Sequence, residues 1–199
     1  VERELIDVNE FADQWAETLT PLLGEKIGIE IRTKGNKKAD RPWIQINRGY
    51  LEQIFVNLAT NARDSMPQGG TITIGIIKEN QPDSDHSQVK ISISDTGLGM
   101  SQDVLTQIFD PFYTTKNSEH ATGLGLSVVQ ELVQSSGGEI SVQSTINQGT
   151  TFLISFPQAV PLKSNRSPKV KQSHQKRGTE TILVLEDDEP VRLAITQIL

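Results

Sequence analysis

The sequence predicts an α+β domain in which helices cover one face of a β-sheet while the other face stays wet. Several short stretches alternate apolar and polar residues, as half-buried strands do, and three longer stretches carry apolar residues at helical spacing. These elements do not follow the strand–helix–strand order of a parallel α/β sheet. Because the 199 residues include 0 Cys, disulfides and thiolate metal sites are excluded, and burial must hold the core together.

The first half of the chain predicts two helices and two short strands. Apolar residues near helical spacing predict a helix over Asn9–Gly24, and alternating isoleucines predict a strand over 27–31. A short apolar run follows at Trp43–Ile46. Apolar residues three and four apart then predict a helix over Tyr50–Met66, which should end before Pro67.

The second half predicts four strands and one helix. Alternation predicts strands over Thr71–Ile77 and Val89–Ser94, followed by a segment rich in polar and aromatic residues. Glycines at 137 and 138 should stop a helix over Gly123–Gln134. Two further strands, Glu139–Ser144 and Thr151–Phe156, complete a domain that we expect to span residues 1–157.

The composition changes after this domain. Residues 158–178 carry Pro, Ser, Lys and Arg but no acidic residue, which is typical of a flexible tether; a basic docking strip for an acidic partner is the alternative. Residues 179–199 then give an apolar strand-like run, four acidic residues and the start of a helix. We expect this tail to be the beginning of a second, incomplete domain.

Charge and hydropathy exclude other classes of protein. The formal net charge of -6 and the pI of about 5.1 argue against nucleic acid as the main partner. No window approaches the ~20 apolar residues that cross a bilayer, and no signal peptide is visible after the initial valine. We therefore expect a soluble, cytoplasmic piece of a longer protein, without direct membrane contact of its own; anchoring of the parent in a membrane through a missing N-terminal part is left open.

Asp95 is the most specific single clue. It continues the alternation of Val89, Ile91 and Ile93, so its carboxylate falls on the apolar face that the helices should cover and needs a hydrogen-bond donor. One interpretation is a local turn bond within the glycine-rich loop that follows. The other is an acceptor for the exocyclic amine of a purine, with Gly97 and Gly99 letting the backbone approach the base.

The helix over Tyr50–Met66 carries Asn57, Asn61 and Asp64 at positions i, i+4 and i+7, along one edge of its apolar stripe. Asparagine disfavours helix interiors, so two in one register need a reason. Carboxamide oxygens suit magnesium that bridges nucleotide phosphates. Hydrogen bonds to a neighbouring strand are the alternative explanation.

A second glycine-rich turn, TGLGLS at Thr122–Ser127, opens a helix and could present free backbone amides to a phosphate. No GxxxxGK[ST] loop occurs, and the turn follows a loop instead of a strand, so neither a Walker loop nor a dinucleotide fingerprint fits. Either glycine turn alone would also be explained as an ordinary turn.

Taken together, five motifs resemble one family. NLATNARDSM, DTGLGM, FDPFYTT, TGLGLS and QGTTF, in this order, resemble the N, G1, F, G2 and G3 boxes in the ATP-binding domain of two-component sensor histidine kinases. The resemblance covers about Glu4 to Pro157. The stretches ARDSMPQGG and FYTTK are similar to those of soluble-type hybrid kinases. The tail ILVLEDDEPVR resembles the first strand and acidic turn of a receiver domain.

This resemblance implies a two-layer sandwich, the histidine kinase ATPase or Bergerat-type fold, with a mixed sheet, helices on one face and ATP under a lid formed by 101–122. It implies that Asp95 binds the adenine amine, with Thr150 helping through water, and that Asn61 holds Mg²⁺ bound to ATP, with Asn57 nearby. The full set of implied nucleotide-binding residues is Asn57, Asn61, Asp64, Asp95, Gly97, Gly99, Met100, Phe109, Phe112, Lys116, Thr122, Gly123, Leu124, Gly125, Leu126 and Thr150. Phe109 and Phe112 would anchor the lid.

Asn57 and Asn61 would be the catalytic residues. A difference from gyrase-type ATPases at position 57 bears on the mechanism. Gyrase-type ATPases place a glutamate where Asn57 stands, to activate water, and an amide does not take that proton. The γ-phosphate should therefore be kept for another nucleophile, a histidine on a helical-hairpin dimerisation domain that this sequence does not contain. The chain should then be monomeric and its parent a homodimer that signals to a receiver domain or response regulator.

The tail would contribute only part of a metal site. Glu186 and Asp187 match the magnesium-binding acids of a receiver, whereas its phospho-accepting aspartate is absent. Two other functions keep the same site: a serine kinase of the anti-sigma type, and a non-catalytic module that senses nucleotides.

Overall fold

The computed structural model describes residues 2–34, 41–80, 87–115 and 122–160, which form eleven elements. In chain order they are β1 (Glu4–Asp7), α1 (Val8–Leu23), β2 (Ile27–Lys34), β3 (Trp43–Ile46), α2 (Arg48–Ser65), β4 (Gly70–Asn80), β5 (Ser87–Asp95), α3 (Gln102–Leu105), α4 (Gly125–Ser135), β6 (Glu139–Thr145) and β7 (Gly149–Pro157). Within these ranges the predicted helices and strands are confirmed, with ends shifted by a few residues. β1 and the four-residue α3 were not predicted.

The main sheet has five strands in the order β2-β4-β5-β7-β6. β2 runs parallel to β4, and the other neighbours are antiparallel, so the predicted mixed sheet is confirmed. A second, two-stranded sheet pairs β1 with β3.

The two faces of the main sheet differ as predicted. Ile76, Ile91 and Ile154 lie opposite one another across three strands and are buried in the core with the apolar side chains of α1, α2 and α4. Three residues along each strand, Ser94 of β5 pairs with Thr151 of β7 on the other face, and their hydroxyls are 2.9 Å apart. The domain therefore has two layers, with the helices on one side of the sheet only.

Side-chain caps fix where the two longest helices begin. The Asp7 carboxylate accepts a hydrogen bond from the Asn9 N–H at the start of α1. It also forms an ion pair with Arg41 at 2.9 Å. The Asn47 carboxamide accepts from the Tyr50 N–H at the start of α2 and donates to the Glu2 carbonyl. Asn47 thus sets both the first turn of α2 and its link to the N-terminal segment.

Within the described ranges, no helix combines the length and the apolar character that crossing a bilayer requires.

Candidate functional site

A cavity of ≈ 1100 Å³ opens between α2, α4, the loop after β5 and the segment that follows α3. Ten residues predicted from the sequence line it: Asn61, Asp64, Asp95, Gly99, Met100, Thr122, Gly123, Gly125, Leu126 and Thr150. Further lining residues, which the sequence did not single out, include Ser65, Leu98, Val104, Ile108 and Tyr113. The structure thus gathers polar groups from distant parts of the chain around a space of nucleotide size.

Asp95 stands at the end of β5 and is held by one of its two oxygens. Its Oδ1 accepts from the Gly97 N–H at 2.8 Å, the Ser65 hydroxyl at 3.2 Å and the Thr150 N–H at 3.3 Å. The local turn bond considered from the sequence is therefore present, together with two long-range donors. The Oδ2 atom accepts no hydrogen bond from the described residues and belongs to a side chain on the cavity wall.

Burial raises the pKa of the Asp95 carboxyl above its ordinary value of 3.8, while the hydrogen bonds from Gly97, Ser65 and Thr150 lower it in part. A half-desolvated carboxylate with one oxygen uncommitted is a strong acceptor for an N–H donor in the cavity.

Glycine is required at position 97 for a steric reason. A Cβ there would lie 2.1 Å from the Ser65 hydroxyl oxygen and 2.7 Å from the Ser65 carbonyl. The same carbonyl accepts from the Leu98 N–H at 3.0 Å. Gly97 therefore lets the loop after β5 close against the end of α2, where Ser65 binds both the loop and Asp95.

Ser144, on β6, connects the loop after β5 to the start of β7. Its hydroxyl accepts from the Met100 N–H at 2.9 Å and lies 3.0 Å from the Gly149 carbonyl and 2.9 Å from the Thr150 hydroxyl. Thr150 is only 5% exposed and lines the cavity. Ser144 thus supports two predicted site residues, Met100 and Thr150, without having been predicted itself.

Asn57 ties α2 to the beginning of α4. Its Nδ2 donates to the Gly125 carbonyl at 3.2 Å, and its Oδ1 accepts from the Gln53 side chain at 3.2 Å. A Cβ on Gly125 would lie 3.9 Å from Nδ2 of Asn61. Both asparagines therefore meet the first turn of α4, although only Asn61 lines the cavity.

Asp64 lies at the rim of the cavity and forms an ion pair with Arg63 at 2.9 Å. Both side chains are more than a third exposed, so this pair contributes little to stability. Arg63 also donates to the Leu22 carbonyl of α1 at 3.2 Å.

The start of α4 offers backbone donors to the cavity. No side chain caps this helix at Leu124, and its first N–H groups have no acceptor within the helix. Gly123 has φ +65, and a Cβ there would lie 2.4 Å from the Phe112 backbone, so only glycine fits this turn. Gly125 and Leu126, in the first turn of α4, line the cavity, so the positive end of the α4 dipole lies at the cavity wall.

The expectation that Phe109 and Phe112 both anchor the lid is half wrong. Phe109 packs against the core, but the ring of Phe112 is 74% exposed. Phe112 adopts φ 68, and its N–H donates to the Gly123 carbonyl at 3.0 Å. The backbone of Phe112 is thus what fastens this segment, and the left-handed conformation leaves its ring outside the core.

Lys116, Glu186 and Asp187 lie outside the described residues, as do 179–199 and nearly all of 158–178. In the described part of the chain, no cluster of three or more His, Cys, Asp or Glu side chains could hold a metal by itself. A divalent ion at this site would need oxygens from a ligand as well as from the protein.

The chain is similar in sequence to proteins that are named as kinases. The chain is 35% identical over 193 residues to the sensor kinase CckA of Brucella abortus, covering 88% of this chain. It is 44% identical over 131 residues to sporulation kinase A of Bacillus subtilis, covering 66% of this chain. In both cases the match covers 20% of the relative's length, so this chain corresponds to about a fifth of each.

Solved structures share the fold. Full-length ShkA in complex with AMPPNP superposes with a TM-score of 0.65 and 28% identity, over 81% of this chain and 32% of that one. The catalytic domain of the histidine kinase ThkA superposes with a TM-score of 0.61 and 24% identity, over 79% of this chain and 97% of that one. Residues 46–160, more than half of the chain, match the family described as "Histidine kinase-, DNA gyrase B-, and HSP90-like ATPase". The chain belongs to this ATPase family.

Proposed function

We propose that this domain binds ATP with Mg²⁺ and transfers the γ-phosphate to a histidine, as the catalytic domain of a hybrid sensor histidine kinase. The observation that carries the proposal is Asp95, whose Oδ1 is saturated by three donors while Oδ2 accepts nothing from the described residues on the wall of the cavity. An adenine amine supplies the donor that this oxygen lacks. Similarity to the sensor kinase CckA, to sporulation kinase A and to ShkA in complex with AMPPNP supports this assignment.

The phosphates would lie at the other end of the cavity, where Gly123, Gly125 and Leu126 line the wall at the start of α4. The uncapped amides there complement phosphate charge. The donor set also fits Mg²⁺, because Asn61 contributes a neutral carboxamide on the cavity wall and the phosphates contribute the remaining oxygens. When bound, Mg²⁺ would neutralise charge on the phosphates.

Asn57 supports transfer over hydrolysis. Its carboxamide is engaged with Gln53 and Gly125, and an amide does not remove a proton from water. Phosphoryl transfer depends mainly on positioning and charge neutralisation, which the α4 amides and Asn61 supply. The proposed acceptor is a histidine on the dimerisation domain of the parent protein, so the parent would be a homodimer and this chain a monomer.

The remaining parts of the proposal concern the longer protein. Hydrogen bonds from Gln158 to Ser87 and from Ala159 to Trp43 hold the chain to the domain beyond Pro157, so we place the domain's end after Val160, followed by a tether to 178. We propose that 179–199, with Glu186 and Asp187, begin a receiver domain. The match to CckA covers a larger share of the chain than residues 1–157 make up, which is consistent with this. Partners would be proteins of the phosphorelay, not nucleic acid, and the domain would work in the cytoplasm, where ATP is available.

Two measurements test the proposal. Calorimetry should show that Asp95→Asn weakens ATP and ADP binding alike, because it removes charge from the atom that accepts the adenine amine; unchanged affinity would remove Asp95 from the site. The second measurement supplies a histidine-bearing dimerisation domain in trans with labelled ATP. Acid-labile label on histidine is expected.

Acid-stable label on serine would identify a serine kinase instead, and ATP binding without any label would identify a nucleotide sensor. Asn61→Ala should bind ADP without Mg²⁺ as the wild type does but lose phosphoryl transfer. Circular dichroism controls for folding, since an unfolded Asn61→Ala chain would make Asn61 a structural residue.

A further inference from the structure

Ser144 has three hydrogen-bond contacts and one hydroxyl hydrogen, which fixes their direction. The Met100 N–H donates to Ser144 Oγ at 2.9 Å. The Gly149 carbonyl oxygen, at 3.0 Å, has no hydrogen, so the Ser144 hydrogen must point to it. The third contact, to the Thr150 hydroxyl at 2.9 Å, is then made with the hydrogen of Thr150.

This assignment leaves the Thr150 hydroxyl without a hydrogen to donate elsewhere. Among the described residues that hydroxyl makes no other hydrogen bond, so both lone pairs of its oxygen are available as acceptors. Thr150 and Asp95 line the same cavity, and the Thr150 N–H donates to Asp95 Oδ1 at 3.3 Å. Two side chains beside each other on this wall therefore offer acceptors: Oδ2 of Asp95 and Oγ1 of Thr150.

We propose that Ser144 is a positioning residue that locks Thr150 as an acceptor, so that this wall selects 6-amino purine nucleotides over 6-oxo purine nucleotides. Adenine carries an amine at C6, which donates; hypoxanthine carries a carbonyl oxygen there, which accepts. The two acceptors bind the adenine amine directly or through a water molecule held by the amine. A 6-oxo oxygen has no hydrogen to donate, so it would face the lone pairs of both acceptors and be disfavoured. Without Ser144, the Thr150 hydroxyl rotates freely and can donate to the 6-oxo group.

This inference rests on the proposed nucleotide binding, and the experiment separates the two. The full 199-residue chain is titrated calorimetrically with ADP and with IDP, which differ only at the six-membered ring, and the ratio of their dissociation constants is compared. Wild type should prefer ADP. Ser144→Ala should lower the preference for ADP by about three- to tenfold, the equivalent of one hydrogen bond. Ser144→Thr, which keeps the hydroxyl, should retain the wild-type preference.

A double-mutant cycle excludes a merely structural role. In a Thr150→Val background there is no hydroxyl to orient, so adding Ser144→Ala should leave the ADP/IDP ratio unchanged. If Ser144 acted only by holding the Met100 loop, the ratio would shift by the same factor in both backgrounds, or in neither, and the assignment would be overturned. If Ser144→Ala fails to fold, Ser144→Cys takes its place, since a thiol is a weak acceptor of similar size.

The outcomes divide cleanly. A wild-type chain that binds neither nucleotide overturns both the proposed function and this inference. A wild-type chain that binds ADP, with a preference that Ser144→Ala and Ser144→Cys leave intact, overturns the role of Ser144 alone.

Discussion

At the scale of single residues, burial of the Asp95 carboxylate costs stability but leaves an oxygen suited to binding a ligand. Its Oδ1 is stabilised by Gly97, Ser65 and Thr150, yet burial still raises the pKa of the carboxyl. The charge is therefore less stable in the folded chain than in water, and a ligand donor at Oδ2 would recover part of that loss. An acid in this state is typical of binding sites, where stability is given up for function.

The raised pKa of Asp95 predicts opposite pH effects on stability and on binding. As the pH falls from neutral through the raised pKa toward 3.8, the folded chain takes up a proton that the unfolded chain has not yet taken, so Asp95 contributes increasing stability. Over the same window the carboxylate acceptor is lost, so ADP affinity should fall at a pH where a carboxyl of ordinary pKa would still be ionised. Calorimetry between about pH 7 and pH 4 measures the affinity.

Asp95→Asn is the matched control for this titration. ADP itself titrates near pH ~6, and that contribution is the same for both proteins, so the difference between them isolates Asp95. At neutral pH the unliganded Asp95→Asn chain should also unfold at a higher denaturant concentration than wild type. Parallel pH profiles for the two proteins would contradict the assignment.

One kind of sequence signal found Asp95 and could have found Ser144. Asp95 was noticed because it continues an apolar alternation with a charged residue, and Ser144 does the same after Ile140 and Val142 on β6. A serine is common enough in strands that the signal was weak. Ser65, four residues after Asn61, lies on the predicted row of α2, but its bond to Asp95 joins parts of the chain 30 residues apart, which periodicity does not reveal.

At the scale of elements, α2 is the scaffold of the site. Its polar row places Asn57 against α4, Asn61 on the cavity wall and Ser65 against Asp95, so one helix supports both the end proposed for the base and the end proposed for the phosphates. The apolar stripe beside this row buries Leu51, Phe55 and Leu58 in the core. Packing of that stripe therefore fixes the geometry of the polar row.

The bond from Asn57 to Gly125 predicts that Asn57→Ala weakens nucleotide binding through the phosphates. Removing the carboxamide releases the first turn of α4, whose amides should hold the phosphates, whereas Asp95 is untouched. ATP affinity should fall about fivefold, the equivalent of about 1 kcal/mol, while adenosine affinity stays the same. Calorimetry with both ligands measures the two effects.

Gln53→Ala is the control for Asn57→Ala. It removes the bond that orients the Asn57 carboxamide but leaves the donor to Gly125 in place, so its effect on ATP should be smaller and in the same direction. Equal losses for ATP and adenosine in Asn57→Ala would mean that the whole cavity, and not the start of α4, depends on this residue.

Local patterns predicted most elements because each buries one stripe or one strand face. The two that were missed are short, and one of them depends on a distant partner. The four-residue β1 forms only because β3, about forty residues later, pairs with it, and α3 is one short turn without a buried residue. For Phe112 the missing signal is local, since nothing in FDPFYTT indicates its positive φ or the exposure of its ring.

At the scale of the whole molecule, the sheet brings together residues that are far apart in sequence. Because β5 lies between β4 and β7, the end of β5 meets the start of β7, and Asp95 comes to lie beside Thr150, 55 residues later. The sequence indicated which faces of the strands are buried, and the family resemblance implied a mixed sheet, but neither gave this strand order. The site therefore depends on the pairing of β5 with β7.

The far end of β7 is fastened independently of the site. Past β7, the Gln158 N–H donates to the Ser87 carbonyl at 2.8 Å, and its side-chain Nε2 donates to the Arg41 carbonyl at 3.1 Å. The Ala159 N–H donates to the Trp43 carbonyl at 2.7 Å. The cavity-lining residues, by contrast, end at Phe152.

Two truncated chains should therefore separate stability from binding. A chain ending at Val160 keeps these bonds and should match the full chain in both the unfolding midpoint of the domain and ADP affinity. A chain ending at Pro157 loses three hydrogen bonds, or about 2 kcal/mol, and should unfold about 5 °C lower while binding ADP equally well at low temperature. Reduced ADP affinity in the chain ending at Val160 would instead mean that residues beyond it form part of the site.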